Sequence, residues 1–120
     1  MLAQELPVVV AVGWDPLELD SEAERGFGEM IKAVVDVERG YMAVGAELHS
    51  DEEAAMLEDG SQQSALWGIN LYPGETGDDW IEFDSMINVR PALGNRSRGV
   101  EDDRIRSVIR KIVGTLVVDG

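Results

Sequence analysis

Residues 31–48 decide the fold, and they read IKAVVDVERGYMAVGAEL. Apolar side chains occupy alternate positions over residues 31–38 and again over residues 42–48. A period of two is the pattern of a β-strand that buries one face. Arg39 and Gly40 separate the two runs, so the stretch predicts an antiparallel hairpin that is closed by a two-residue turn.

The side chains suggest a register for this hairpin. A two-residue turn places Val35 opposite Val44, so that apolar side chains meet on the buried face. The same register places Lys32 opposite Glu47, so that opposite charges meet on the other face. We therefore predict both pairs.

The other elements are marked by local signals. Ser-x-x-Glu capping boxes begin at Ser21 and Ser50, and each predicts the start of a helix. Apolar residues spaced three and four apart after Ile105 predict a long amphipathic helix. In chain order, the predicted elements are a strand at 7–12, a helix from 21 to about 30, strands at 31–38 and 41–48, a helix at 50–59 that ends before Gly60, strands at 67–71 and 81–89, and a helix at 105–116.

The order β-α-β-β-α-β-β-α predicts an α+β fold. We expect a two-layer structure in which helices cover a mostly antiparallel sheet, built from two hairpins plus the N-terminal strand. The length of 120 residues fits one domain, 1–120. The second sheet face mixes polar side chains with Val34, Tyr41, Leu66 and Met86. Such a face is rarely left open to water, so we expect a partner subunit or an additional layer, and hence a homo-oligomer.

Composition removes whole classes of function. The chain has no Cys and one His, so disulfides, thiolate metal sites, cysteine nucleophiles and pairs of catalytic histidines are excluded. The formal net charge of −14 argues against a nucleic-acid partner and against an anionic membrane surface. The apolar run at 7–12 is too short to span a bilayer and no basic leader precedes it, so we expect no membrane segment and a cytoplasmic protein.

Several long stretches of the chain are similar to a known family. They are MIKAVVD at 30–36, GAELHSDEE at 45–53, LWGINLYP at 66–73, EFDSMINVRP at 82–91 and GNRSRG at 94–99. These motifs resemble a family of short uncharacterised prokaryotic proteins that is classed only as a domain of unknown function. The resemblance covers roughly residues 25–115, although family members more often carry Gly at the position of Ala46. It implies a compact single domain and brings no activity, cofactor or catalytic residue.

His49 is the candidate for acid–base or metal chemistry because it is the chain's one imidazole. Glu47 and Asp51 flank it at a spacing of two residues, so Glu-x-His-x-Asp could supply ligands to a divalent metal. It could equally form a general base that Glu47 orients, with nearby acids, Asp84 among them, raising the pKa of His49. The structural alternative is that Glu47 pairs with Lys32 and that Asp51 complements a helix dipole.

The segment Asn95-Arg96-Ser97-Arg98-Gly99 is the candidate ligand-binding loop. Arginine forks and free backbone N–H groups bind carboxylate and phosphate, and this loop precedes a predicted helix. Arg90 lies on the polar face of the preceding predicted strand. The alternative is that these arginines neutralise acids of the sheet such as Asp84. We expect any site to lie where the strand ending at His49 approaches this loop.

Three functions are compatible with these residues; one is a purely structural or regulatory interaction partner, and the two that use a defined site belong to different classes. The first is a homo-oligomeric module that binds an anionic small molecule or a protein partner through Arg90, Asn95, Arg96 and Arg98, with Asp84 beside them. The second is a small metal- or His-assisted enzyme, a hydrolase or an isomerase, acting on an anionic substrate. One His and the absence of a nucleophile motif favour the binding module. The sequence identifies no cofactor.

Overall fold

The hairpin predicted over residues 31–48 lies in the middle of an antiparallel sheet. A computed structural model of the chain describes residues 8–10, 30–46, 48–72, 75 and 77–116. Within these residues the strands and helices are β1 (Val8–Val10), β2 (Ile31–Asp36), β3 (Tyr41–Val44), α1 (His49–Glu58), β4 (Leu66–Leu71), β5 (Ile81–Glu82) and α2 (Asp103–Leu116). Short 3-10 turns occur at Gln63–Ala65, Gly77–Trp80, Met86–Asn88 and Pro91–Leu93. The helix predicted from residue 21 to about 30 lies outside the described residues.

The five described strands are ordered β1-β3-β2-β4-β5, and every neighbouring pair is antiparallel. The most regular apolar run of the sequence, β2, is therefore the central strand, with hydrogen-bonded neighbours on both sides. The N-terminal strand predicted at 7–12 is β1, and it pairs with β3 at one edge of the sheet. This arrangement of an antiparallel sheet and helices confirms the predicted α+β class.

The register of the β2–β3 hairpin differs from the prediction by two residues. Val35 lies opposite Met42, and it is Ala33 that lies opposite Val44. The predicted Val35–Val44 pair is therefore wrong, while a shift of two leaves every side chain on its predicted face. Lys32 pairs with Asn70 on β4, and its predicted partner Glu47 lies outside the described residues.

Asp36 explains the shift because its side chain closes a longer turn. Its Oδ1 accepts hydrogen bonds from the backbone N–H groups of Glu38 and Arg39, both at 2.8 Å. The N–H of Gly40 donates to the carbonyl of Asp36 at 2.9 Å, with Gly40 at a φ of 74° that favours glycine. Asp36 is 1% exposed, and its Oδ2 accepts from Ser61 at 2.6 Å. The turn is thus four residues long, because a buried carboxylate needs these donors.

The second predicted hairpin is shorter than expected. Its return strand, predicted over 81–89, ends after Ile81 and Glu82 as β5, and the chain then turns at Met86–Asn88. Beyond that point the side chain of Asn88 takes the place of a strand. Its Oδ1 accepts from the N–H of Gly68 at 2.8 Å, and its Nδ2 donates to the carbonyl of Gly68 at 3.0 Å. The edge of β4 is therefore satisfied by an amide side chain.

The two described helices cover opposite faces of the sheet, which differs from the two-layer arrangement expected from the sequence. On one face α2 buries Ile109, Val113 and Leu116 in the same apolar cluster as Val35, as the spacing of its apolar residues predicted. On the other face Met56 of α1 packs with a cluster of small and branched side chains, Val34, Ala43 and Leu66. Each fully buried aliphatic side chain contributes about 1.5–3 kcal/mol.

The layer formed by α1 bears on the expected partner subunit. Val34 and Leu66, on the mixed face, have no exposed surface because the chain's own helix covers them. Tyr41 is half-buried, and Met86 remains 66% exposed. The additional layer comes from the chain itself, so this face no longer argues for self-association. Among the described residues, no helix combines the length and apolar character needed to cross a bilayer.

The ends of α1 differ in how well the sequence indicated them. Gly60, predicted to follow the helix, has a φ of 103°, and the N–H of Ser61 donates to the carbonyl of Met56 at 2.9 Å, which is the usual glycine-terminated end. The predicted capping box is wrong, because α1 begins at His49 with Leu48 at the N-cap. The helix start is therefore displaced, and His49 belongs to the first turn of α1.

Candidate functional site

A groove of about 490 Å³ opens at the N-terminal end of α1. It is bordered by the first turn of α1, by β4 and β5, and by the loop that contains Arg98. The residues that line it are Met30, Lys32, Leu48, His49, Ser50, Asn70, Tyr72, Glu82, Asp84, Ser85, Met86, Ile87 and Arg98. Of the predicted site residues, His49, Asp84 and Arg98 thus border one groove.

The imidazole of His49 is held against the sheet in a defined tautomer. It is 8% exposed, and its Nε2 lies 2.7 Å from the carbonyl oxygen of Ile69. Because a carbonyl only accepts, Nε2 carries the proton and donates, and in the neutral ring the lone pair is on Nδ1. Burial lowers the pKa of His49, and Lys32 and Arg98 lower it further, whereas the hydrogen bond to Ile69 and the charge of Asp84 oppose them. The predicted rise of this pKa is therefore wrong, because loss of hydration outweighs the nearby acid.

Gly68 allows this close packing. A Cβ atom at Gly68 would lie 2.6 Å from both Cβ and Oγ of Ser85, and 3.2 Å from Cδ2 of His49. Oγ of Ser85 accepts a hydrogen bond from the N–H of Ile87 at 3.3 Å, while Nε2 of His49 is bound to Ile69. The groove wall thus brings a serine and a histidine close together without forming a Ser–His hydrogen bond among the described residues.

Arg98 and Asp84 form an ion pair at the groove. Nε of Arg98 donates to Oδ1 of Asp84 at 2.6 Å. The two side chains are 57% and 41% exposed, so water screens the pair and its contribution to stability is small. The guanidinium is therefore positioned at the groove and can exchange partners at little cost.

Asn95 organises its loop and does not line the groove. It is 4% exposed, and its Nδ2 donates to the carbonyls of Asn88 and Gly99, both at 2.8 Å. Its Oδ1 accepts from the N–H of Glu101 at 2.8 Å. The amide predicted to bind a ligand is thus committed to the fold.

The backbone N–H groups of the loop 95–99 bind a carboxylate of the same chain, that of Glu101. Oε2 of Glu101 accepts from the N–H of Arg96 at 2.9 Å and from the N–H of Ser97 at 2.8 Å. These bonds lower the pKa of Glu101. The predicted anion-binding property of the loop is therefore used internally, and the exposed Arg96 lies outside the groove lining.

Arg90 lies away from the groove and connects other parts of the fold. Its guanidinium is 3.4 Å from the carboxylate of Glu53 on α1 and lies over the ring of Trp67, 5.1 Å from the centroid. Burial lowers the pKa of Arg90. These contacts favour the structural role over the predicted ligand-binding one.

A metal site at Glu-x-His-x-Asp involves Glu47, which lies outside the described residues. Asp51 is exposed in the first turn of α1. Within the described parts of the chain, no group of three His, Asp or Glu side chains is placed to hold a metal ion. Of the two predicted catalytic candidates, His49 and Glu47, His49 is the one that lies among the described residues.

Comparison with known families identifies the chain. A family model described as a protein of unknown function (DUF5674) matches residues 9–116. The chain belongs to this family. Comparisons with curated proteins and with solved structures give no match. The family match confirms the resemblance that the sequence motifs indicated.

Three polar residues of the groove in this DUF5674 member were missed by the sequence analysis. Oε1 of Glu82 accepts from Nδ2 of Asn70 at 2.9 Å and from the hydroxyl of Tyr72 at 2.9 Å. Burial and the neighbouring Glu82 raise the pKa of Tyr72. Asn70 and Glu82 are directly paired across β4 and β5. The sequence could have indicated this pair only through the register of the β4–β5 hairpin, which places Asn70 opposite Glu82.

A buried acid lies on the same helix as His49. Glu52 has no exposed surface, and its Oε2 accepts from the N–H of Ala46 at 3.2 Å. Its Oε1 is buried without a hydrogen-bond partner among the described residues. Burial raises the pKa of Glu52 to about 10. In this member of the family Glu52 is therefore protonated at neutral pH and adds no negative charge near the groove.

Proposed function

We propose that this protein is a binding module that holds a small molecule in the groove at the N-terminal end of α1 by an anionic group of the ligand, a carboxylate or a phosphate. The observation that carries the proposal is the position of the Arg98 guanidinium on the same groove as the first turn of α1. Arginine binds such groups through two parallel hydrogen bonds.

The start of α1 adds a second attraction for an anion. Leu48 stands at the N-cap and its side chain cannot accept a hydrogen bond from the first turn. The N–H of Asp51 donates to the carbonyl of Leu48 at 3.2 Å, so the N–H groups left without an intrahelical partner are those of His49 and Ser50, at the partly positive end of the helix. His49 and Ser50 of this turn both line the groove. A carboxylate or phosphate placed there would meet Arg98 and these donors together.

The ion pair with Asp84 sets the cost of binding. A ligand anion has to take over at least part of the Arg98 guanidinium from Asp84. Because both side chains are about half exposed, the pair is weak. The proposed function needs no second subunit, because α1 covers the sheet face that had suggested one.

A second candidate is an acid–base enzyme that uses His49, a hydrolase or an isomerase on an anionic substrate. The observation that favours it is the neutral, tautomerically fixed imidazole beside Arg98. A neutral ring of this kind accepts a proton at neutral pH. Loss of turnover in His49→Gln with retained ligand binding would separate this candidate from a pure binding module.

The proposal is tested by titrating the isotope-labelled full chain with inorganic phosphate and, separately, with acetate. We expect backbone amide signals of His49, Ser50 and Arg98 to shift with either probe. Arg98→Ala should remove these shifts, while Arg96→Ala, two residues away in the same loop, should keep them. If both variants respond as the parent does, or if the shifts centre on Glu101, the groove is not the anion site.

A further inference from the structure

Glu82 is an exposed carboxylate that the groove holds in place. Both hydrogen bonds described above, from Asn70 and from Tyr72, go to its Oε1. Neither of these two bonds uses its Oε2. Holding an exposed glutamate in one conformation costs side-chain entropy. Here the hydrogen bonds from Asn70 and Tyr72 offset that cost. The result is a positioned oxygen at the groove with hydrogen-bonding capacity left.

Asn70 gives an independent indication of a missing partner at the same place. It is 5% exposed and lines the groove. Its Nδ2 is used by Glu82 and by the carbonyl of Asp84 at 3.3 Å. Its Oδ1 is buried without a hydrogen-bond partner among the described residues. An unpaired buried acceptor is costly, and a group with several N–H donors bound beside Glu82 would reduce that cost.

The charges of the groove lining are balanced. Lys32 and Arg98 are cationic, Glu82 and Asp84 are anionic, and His49 is neutral. The whole chain carries a net charge of −14, so a ligand that is only anionic gains at Arg98 but is repelled elsewhere. A ligand with one positive and one negative group would find a partner for each.

The groove also has an apolar rim. Leu48 is 53% exposed and Met86 is 66% exposed, and both line the groove. Apolar side chains form much of the lining of small-molecule sites, so these two give an apolar ligand group a surface to contact. A volume of about 490 Å³ is within the range of small-molecule sites. An apolar side chain on the ligand would cover this rim.

On the basis of the proposed function, we infer that the ligand is a zwitterion with an apolar side chain, of the amino-acid type, free or as a short peptide. Its ammonium group is held by Glu82 beside Asn70. Its carboxylate is held by Arg98 and the first turn of α1. Its side chain lies against Leu48 and Met86.

The test is calorimetric titration of the full chain with L-leucine and with 4-methylpentanoate, which lacks the amino group. We expect L-leucine to bind about tenfold more tightly, the factor that corresponds to about 1.4 kcal/mol. Glu82→Gln should remove this preference and keep the binding of 4-methylpentanoate. Arg98→Ala should weaken the binding of both compounds, and thermal unfolding should show that both variants are folded.

The outcomes separate the two proposals. Equal binding of the two compounds by the parent protein, with Glu82→Gln unchanged, would overturn the zwitterion and leave the proposed anion site intact. Binding of neither compound, together with no response to phosphate or acetate, would overturn both. L-leucyl-L-leucine distinguishes the sources: tighter binding than L-leucine assigns the groove to peptides, and weaker binding assigns it to free amino acids.

Discussion

Nε2 of His49 donates a hydrogen bond to the carbonyl oxygen of Ile69 at 2.7 Å, and this bond fixes the first turn of α1 to strand β4. It satisfies a backbone carbonyl of β4 with a side chain, and it determines which nitrogen of the ring is protonated. The chain's one histidine is therefore part of the structure as well as part of the groove wall. Its protonation should affect both stability and binding.

The first prediction concerns the pH dependence that His49 imposes. Burial lowers the pKa of His49 in the folded state, so the unfolded chain binds more protons at acid pH. The contribution of His49 to stability is present above about pH 6.5, the ordinary histidine value, and is lost as the pH falls below it. His49→Gln keeps a donor for Ile69 and cannot ionise. Urea unfolding at pH 5 and pH 7.5 should show that the free energy of unfolding falls less at acid pH in the variant than in the parent. An equal fall would contradict a lowered pKa of His49.

The second prediction concerns Glu52, whose pKa shift makes stability fall as the pH rises, the opposite of the effect of His49. Burial raises its folded pKa to about 10, so the folded state keeps a proton that the unfolded state loses above its ordinary pKa. The contribution of Glu52 to stability is fully present below its ordinary pKa and is lost progressively as the pH rises toward 10. Glu52→Gln imitates the protonated form and should stabilise the protein at pH 8 by more than about 1 kcal/mol, since each pKa unit corresponds to about 1.4 kcal/mol.

The control for Glu52 is Glu58→Gln, an exposed acid on the same helix. Its effect on the free energy of unfolding should stay constant between pH 6 and pH 8, whereas the effect of Glu52→Gln should grow. Urea titrations at several pH values measure both. A constant difference for Glu52→Gln would mean that the carboxyl is ionised in the folded protein.

The third prediction concerns Gly68. An alanine there places its Cβ 2.6 Å from the Cβ of Ser85, and neither strand β4 nor the turn after Ser85 can move without losing the Asn88 hydrogen bonds. Overpacking of this kind costs about 1–3 kcal/mol. Gly114→Ala on α2, where a Cβ meets open space, should instead be neutral or stabilise by up to about 1 kcal/mol. Equal thermal midpoints for the two variants would contradict the close approach.

Much of the fold could be predicted because repeated patterns determine it. The alternation of β2 and the apolar stripe of α2 each involve many side chains, so no single residue can overturn them. The register of the first hairpin depended on one side chain, because the buried carboxylate of Asp36 extends the turn. The second hairpin likewise ended early because Asn88 replaces a strand. Such single-residue hydrogen bonds leave no periodic signal.

Two residues of the groove lining could be predicted from the composition of the chain. His49 and Arg98 were singled out because their chemistry is scarce in this chain, and both line the groove. Asn95 and Arg96 have the same sequence signal as Arg98, but the side chain of Asn95 and the backbone N–H of Arg96 are bonded to Glu101 within the loop, and Arg96 does not line the groove. Which donors of a loop form hydrogen bonds within the loop depends on the folded backbone conformation, and the sequence does not show that conformation.

The last prediction concerns the role of Asp84. If Asp84 is only a counter-charge that competes with the ligand, Asp84→Asn should free the Arg98 guanidinium and strengthen the binding of acetate and inorganic phosphate severalfold. If instead it positions the guanidinium through the 2.6 Å bond, the same substitution should weaken binding. The half-exposed geometry of the pair favours the first result, because a screened ion pair constrains a flexible arginine only weakly.

Asp102→Asn is the matched control for Asp84→Asn. Asp102 lies 3.7 Å from Arg104 and outside the groove lining, so its substitution removes the same unit of charge from the chain at a different place. Any gain that comes only from the lower net charge should appear in both variants, whereas a gain caused by release of Arg98 should appear in Asp84→Asn alone. Titration of both variants with acetate at low and at physiological salt measures the two effects separately, because the long-range contribution of net charge is screened by salt and the local release of Arg98 is screened less.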